Sequence, residues 1–159
     1  MNLFKLDKCI PAKFIFDNIS FNKAHPFPYV VVEMKENIEI TRLNSFGKKT
    51  KDFCKIQLNE INCIKVSCIK GFNGGLGEKG IVPLDFYLKI DIIKDNNDRF
   101  SLMNSSVIMV KELYNYANKN KVKYCDVNNL LEILKNIKTD LEACDVLLPI
   151  SSNFKHFLN

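Results

Sequence analysis

The sequence contains no tryptophan, only two histidines, six glycines and five prolines among 159 residues. So little glycine and proline excludes a collagen-like or linker-dominated chain, which needs both in quantity. His25 and His156 lie near opposite ends. Neither neighbours a serine, cysteine or aspartate in a recognisable nucleophile–base arrangement. The six cysteines, at 9, 54, 63, 68, 125 and 144, form no C-x-x-C pair. Zinc sites use closely paired thiolates or imidazoles, so no metal and no cofactor is expected. Long apolar runs are missing too. The longest, Tyr29–Val32, falls far short of the ~20 residues that span a bilayer. Lys5, Asp7, Lys8 and Lys13 break up the N-terminal stretch, so no secretory leader is read there. The expectation is a cytoplasmic protein with reduced thiols.

What is present describes a folded domain. Hydrophobic residues make up 47% of the chain and charged residues 26%, with twelve phenylalanines. The length suits one domain, with room for a small appendage. A net charge of +5 is modest, and no nucleic-acid partner is expected from it.

Periodicity supplies the organisation. Residues 1–28 read as an irregular N-terminal extension on or near the core, closed by His25-Pro26-Phe27-Pro28, where two prolines forbid regular pairing. From Tyr29 the period is two. Tyr29–Lys35, a turn at Glu36-Asn37, Ile38–Leu43, a turn over 44–49, Asp52–Leu58, a break at Asn59-Glu60 and Ile61–Lys70 follow one another as strands. Alternation changes parity within Ile61–Cys68, which predicts a bulge near Cys63. The cleanest strand has Leu84, Phe86, Leu88, Ile90 and Ile92 alternating with Asp85, Tyr87, Lys89 and Asp91. One buried and one solvated face is the expectation for it. Asp95–Asp98 reads as a hairpin turn and Phe100 and Leu102 as the returning strand. The same turn resembles a calcium loop only faintly, lacking the glycine and distal glutamate such a loop uses.

The period then becomes helical. Asn104 or Ser105 is placed as a cap, and Val107, Val110, Leu113, Tyr114 and Ala117 as a buried stripe. Val127, Leu130, Leu134, Ile137, Leu141, Cys144 and Leu148 recur as a heptad seam. That seam is compatible with one long helix, or with a second helix started by the capping-box pattern Thr139-Asp-Leu-Glu142. Strands joined by short turns, with no helix between them, exclude a parallel βαβ sheet. The fold class is therefore α+β, mainly β: an antiparallel barrel or sandwich of six or seven strands capped by a helix. Domain limits fall at 1–28 for the extension, 29–118 for the β domain with its capping helix, and 119–159 for a C-terminal helical appendage and tail.

The order of elements from about Tyr29 to Ala117 resembles the pleckstrin-homology-like fold in its bacterial PH and GRAM-type versions. The residues that carry it are Ile38-Glu-Ile-Thr-Arg-Leu before a Gly-Lys-Lys turn, the passage Ile56–Val66, and a hairpin running into Ser105–Ala117. The resemblance implies seven strands in two bent sheets closed by a helix, and a module that binds lipids, peptides or copies of itself. It departs from that pattern in the 28-residue preface and the residues after Ala117.

Several groups invite a chemistry. Lys48, Lys49 and Lys51 lie where the resemblance implies a basic phosphoinositide-binding loop, with Phe46 as an apolar tip; they also read as a solvated turn that blocks edge pairing. Gly75–Gly80 matches G-x-G-x-x-G, yet a strand with Pro83 follows rather than a helix, and no other kinase or dinucleotide element accompanies it. Phe72, Gly74, Gly75, Leu76 and Gly77 are read as a mobile hairpin loop that can touch a partner. Lys119, Lys121 and Lys123 suit a helix C-terminus better than a nucleic-acid site. The seam residues Val127, Leu130, Leu134, Ile137 and Leu141 offer either self-packing or a partner surface. The function expected is a non-catalytic interaction module of the PH-like type, acting between proteins or in self-association. The alternatives are a peripheral binder of anionic membrane lipid through the basic turn, and a nucleotide-handling enzyme using loop 74–80.

Overall fold

A computed structural model describes residues 30–46, 48–72, 84–104, 106–137 and 139–153. The expected N-terminal extension and the glycine-rich loop, with Gly74, Gly75, Leu76 and Gly77, lie outside the described residues.

The first sheet follows directly from the period-two runs. β1 (Val30–Met34), β2 (Asn37–Leu43) and β3 (Lys49–Gln57) pair antiparallel in that order. Val32 faces Ile40, Met34 faces Ile38, and Ile38 faces Ile56, so β-branched and long apolar side chains line one side. A 3-10 turn at Leu58–Glu60 ends the run where Asn59-Glu60 predicts a break. Glu60 holds it by accepting from the Gln57 amide at 3.2 Å.

The second sheet contains β4 (Ile61–Phe72), β5 (Leu84–Lys94) and β6 (Arg99–Asn104), then α1 (Ile108–Lys119), β7 (Lys123–Asp126), α2 (Leu130–Ile133), α3 (Asp140–Ile150) and β8 (Ser152–Asn153) complete the chain. Its order is β6-β5-β4-β7, with β8 also on β4. The register of β4 on β5 slips between Ile61 and Cys63, where the parity change predicts a bulge. In the Asp95–Asp98 hairpin turn Asn97 takes φ 67°, a left-handed value that asparagine tolerates. The Asn96 amide nitrogen donates to Asp98 there at 2.7 Å.

The architecture is α+β and mainly strand, but it differs from the sequence expectation in four ways. Of the expected barrel or sandwich the barrel does not form: the two sheets share one apolar core without closing. Two strands are parallel: β7 and β8 both run along β4. The region expected to be a helical appendage thus supplies two strands to the second sheet. They cover an edge that would otherwise be exposed, and the Cys68 amide between them donates to the Asn128 side chain at 2.8 Å. The face of β5 expected to be solvated is buried at Tyr87, Lys89 and Asp91. Finally, α1 starts after Val107 with no side-chain cap, and its buried residues are Met109, Val110, Leu113, Tyr116 and Ala117. Tyr114, expected in the stripe, is partly exposed; Tyr116 takes the inward place and donates its hydroxyl to the Lys35 carbonyl at 3.0 Å.

The heptad seam resolves into separate pieces. Val127 lies in a turn, α2 is one short turn of helix, and α3 begins after Thr139. Thr139 is extended and its hydroxyl accepts from the Glu142 amide at 3.2 Å, the N-cap geometry that the capping-box pattern predicts. Thr139→Ala is expected to cost about 1 kcal/mol, read as a lower urea midpoint with an unchanged slope.

Candidate functional site

The groove starts from the residues that α1 cannot bury. With Met109, Val110, Leu113, Tyr116 and Ala117 inward, α1 turns Ile108 away from the core and leaves Tyr114 at the edge of its buried face. Ile108 is 62% exposed and Tyr114 38%. Opposite them stand Leu131 and Leu134 of the α2 segment, with Ile137 just beyond. Together these residues line a groove of about 640 Å³.

Both walls are fixed in place. Asp126, at the end of β7, accepts from the Leu130 and Leu131 amides at 2.8 Å each, which anchors α2 to the sheet. Tyr124 of β7 sets its ring edge-on to Tyr114 with centroids 5.5 Å apart, and donates its hydroxyl to the Val110 carbonyl at 3.4 Å. The rim carries Lys111 and Glu112 on α1, and Glu132 and Lys135 on the opposite wall. Each wall therefore has one charge of each sign. A smaller cavity of about 470 Å³ lies at the other side of Glu112, between the β1–β2 turn and the end of α1.

The sequence-predicted residues divide between places. Leu134 and Ile137 line the groove, whereas Leu130 is fully enclosed in the chain's own core and so presents nothing to a partner. Val127 is exposed in the turn before it and lies outside the groove lining. Leu141 belongs to α3 and Phe72 to the end of β4. Ile108, Tyr114 and Leu131 were not singled out as site residues. The only signal for Ile108 was an apolar residue off the helical stripe.

The basic turn is a separate feature. Asn44 shapes it by accepting from the Phe46 and Lys48 amides, both at 3.0 Å. Phe46 stands 84% exposed at the tip. Lys48 and Lys51 are exposed as well. Lys49 is engaged elsewhere: its Nζ lies 2.7 Å from Glu33 Oε1. That bond holds the Glu33 carboxyl below its ordinary range. The three lysines thus do not act as a single free cluster.

Two phenols beside these features titrate unusually. Burial pushes Tyr116 up to about 12. Burial, and secondly the Asp126 carboxylate, push Tyr124 up as well. An unfolded tyrosine ionises near pH 10, so the unfolded chain releases these protons first. Stability is therefore complete below about pH 10 and falls as the pH rises towards 12. Urea midpoints across that interval should drop steadily, and Tyr116→Phe should flatten the decline; a level profile would contradict the burial of these phenols.

Among the described residues no three His, Cys, Asp or Glu side chains stand together as metal ligands, and no helix is long and apolar enough to cross a membrane. No family model, no curated protein and no solved structure matches the chain.

Proposed function

We propose that this protein is a non-catalytic interaction module of the pleckstrin-homology-like type, and that the α1–α2 groove receives a second copy of the chain. The order of strands running into α1 supports the PH-like reading. The observation that carries the function is the groove: exposed Ile108 and Tyr114 facing Leu131 and Leu134 across an apolar trough. Aromatic and aliphatic centres with charged rims are the anatomy of protein interfaces. The rim favours self-pairing over a strongly charged partner, because each wall carries one lysine and one glutamate. A two-fold interface uses the same patch on both copies, and a patch of balanced charge, with Lys135 and Glu132 already 3.7 Å apart, does not repel its own copy.

Light scattering on the full chain should give a dimer at micromolar concentration. Ile108→Asp should return it to monomer, with an unchanged circular dichroism spectrum and a melting temperature within about 2 °C, as for an exposed position. A wild-type chain that stays monomeric would overturn the proposal.

Exposed Phe46 beside Lys48 and Lys51 favours a second reading, contact with an anionic membrane surface. Basic residues near such lipid contribute about 1 kcal/mol each. Co-sedimentation with phosphatidylserine vesicles should then weaken with salt and with Phe46→Ser/Lys48→Ala/Lys51→Ala. Retention by neutral vesicles alone would exclude it.

A further inference from the structure

β4 and β7 lie parallel with Cys63 opposite Lys123 and Lys65 opposite Cys125. Paired residues share a face of the sheet, as do alternate residues of one strand. The four side chains therefore form one patch, with two thiols on one diagonal and two ammonium groups on the other. Both cysteines are free; Cys63 is buried and Cys125 is half-buried. Their thiols interact: burial, then the neighbouring Cys125 thiol and its hydrogen bond, push the Cys63 thiol up, against a smaller pull from Lys123 and Lys65. A solute thus reaches the outer sulfur first, and the inner sulfur waits beside it, flanked by positive charge. Accessibility to solutes favours oxidation of a thiol, and of the two it is Cys125 that is the less buried. Cys68 is different, fully enclosed with its sulfur 2.8 Å from the Ser151 hydroxyl.

We propose that Cys63 and Cys125 are a redox-modification site that closes to an intramolecular disulfide on exposure to hydrogen peroxide. Cys125 gives its proton to solvent and its sulfur attacks one peroxide oxygen; an S–O bond forms, the O–O bond breaks, and the departing hydroxide takes a proton back from solvent as water. The Cys63 sulfur then attacks the sulfenic sulfur of Cys125; the S–S bond forms, the S–O bond breaks, and hydroxide leaves with the Cys63 proton as a second water. Two thiols lose two electrons and two protons, and one peroxide becomes two waters. Diagonal positions lie farther apart than a disulfide spans, so closing the bond draws β7, a strand of only four residues, along β4.

The test is peptide mapping of the full-length reduced chain after peroxide treatment, without reductant. A Cys63–Cys125 linked peptide should appear, with loss of two free thiols and a melting temperature raised by about 5–10 °C, all reversed by dithiothreitol. In Cys63→Ser, Cys125 should remain as a sulfenic acid that dimedone traps, and no link should form. Thiols that survive peroxide, over-oxidised Cys125 without a link, or links that favour other cysteines would each overturn the proposal. The wild-type map decides the question even if the variant folds poorly.

Discussion

Replacing Asp91 with alanine is expected to destabilise the protein by about 3–5 kcal/mol, the cost of removing one partner from a buried ion pair. Asp91 sits on β5 with both oxygens committed. Oδ2 receives the Lys89 ammonium at 3.1 Å, and Oδ1 receives the Ser101 hydroxyl from β6. The residues are enclosed: Asp91 is 2% exposed, Lys89 5% and Ser101 2%. Alanine would take the carboxylate from a desolvated ammonium and the acceptor from a buried hydroxyl at once. Asp91→Asn retains an acceptor for Ser101 but no charge for Lys89, so its loss should be smaller. The double change Lys89→Met/Asp91→Leu removes both charges and keeps the volume; most of the stability should return, since apolar replacements of buried pairs are often neutral. Urea denaturation of the four proteins, compared at equal slope, ranks these losses. A single-mutant loss below about 1 kcal/mol would mean that the pair is solvated, as surface pairs are.

That pair marks where sequence reasoning stops. Alternation along Leu84–Asp91 places Lys89 and Asp91 opposite Leu88 and Ile90, and this side assignment is correct. Alternation says which face a residue takes, not what lies over that face, so a solvated reading of Lys89 and Asp91 was mistaken. Local signals are legible because their physics is local: the parity slip at Cys63, the Asp95–Asp98 turn and the Thr139 cap each involve neighbours within a few residues. Long-range features were hidden. β7 is four residues long and pairs with a strand some sixty residues upstream, so no periodicity announces it. Lys49 read as one of three equal lysines, but Glu33, sixteen residues earlier, engages it. The groove was half visible. Leu134 and Ile137 stood out by spacing, while Ile108 and Tyr114 gained meaning only when α2 came to lie beside α1.

Leu130→Ala is expected to cost about 2–5 kcal/mol, the range for truncating a buried leucine, whereas Val127→Ala should stay within about 0.5 kcal/mol, as exposed positions do. The two residues are equivalent in the heptad pattern, which makes the contrast informative. A continuous amphipathic helix would present both on one face and burden both changes alike. Here the chain leaves β7 at Asp126, bends through Asn129 at φ 56°, and turns sharply into α2. The Asp126 carboxylate accepts both the Leu130 and Leu131 amides, so the first helical residue is pinned against the sheet. Leu130 is driven to 0% exposure, while Val127, still in the turn, remains 53% exposed. The same anchor holds Leu131 in the groove wall, so loss of packing at Leu130 should also weaken dimerisation. Ile108→Asp, by contrast, should remove the proposed dimer without the stability cost. Equal losses at Leu130 and Val127 in urea would show that the segment behaves as one seam and that the turn at Asp126 does not persist in solution.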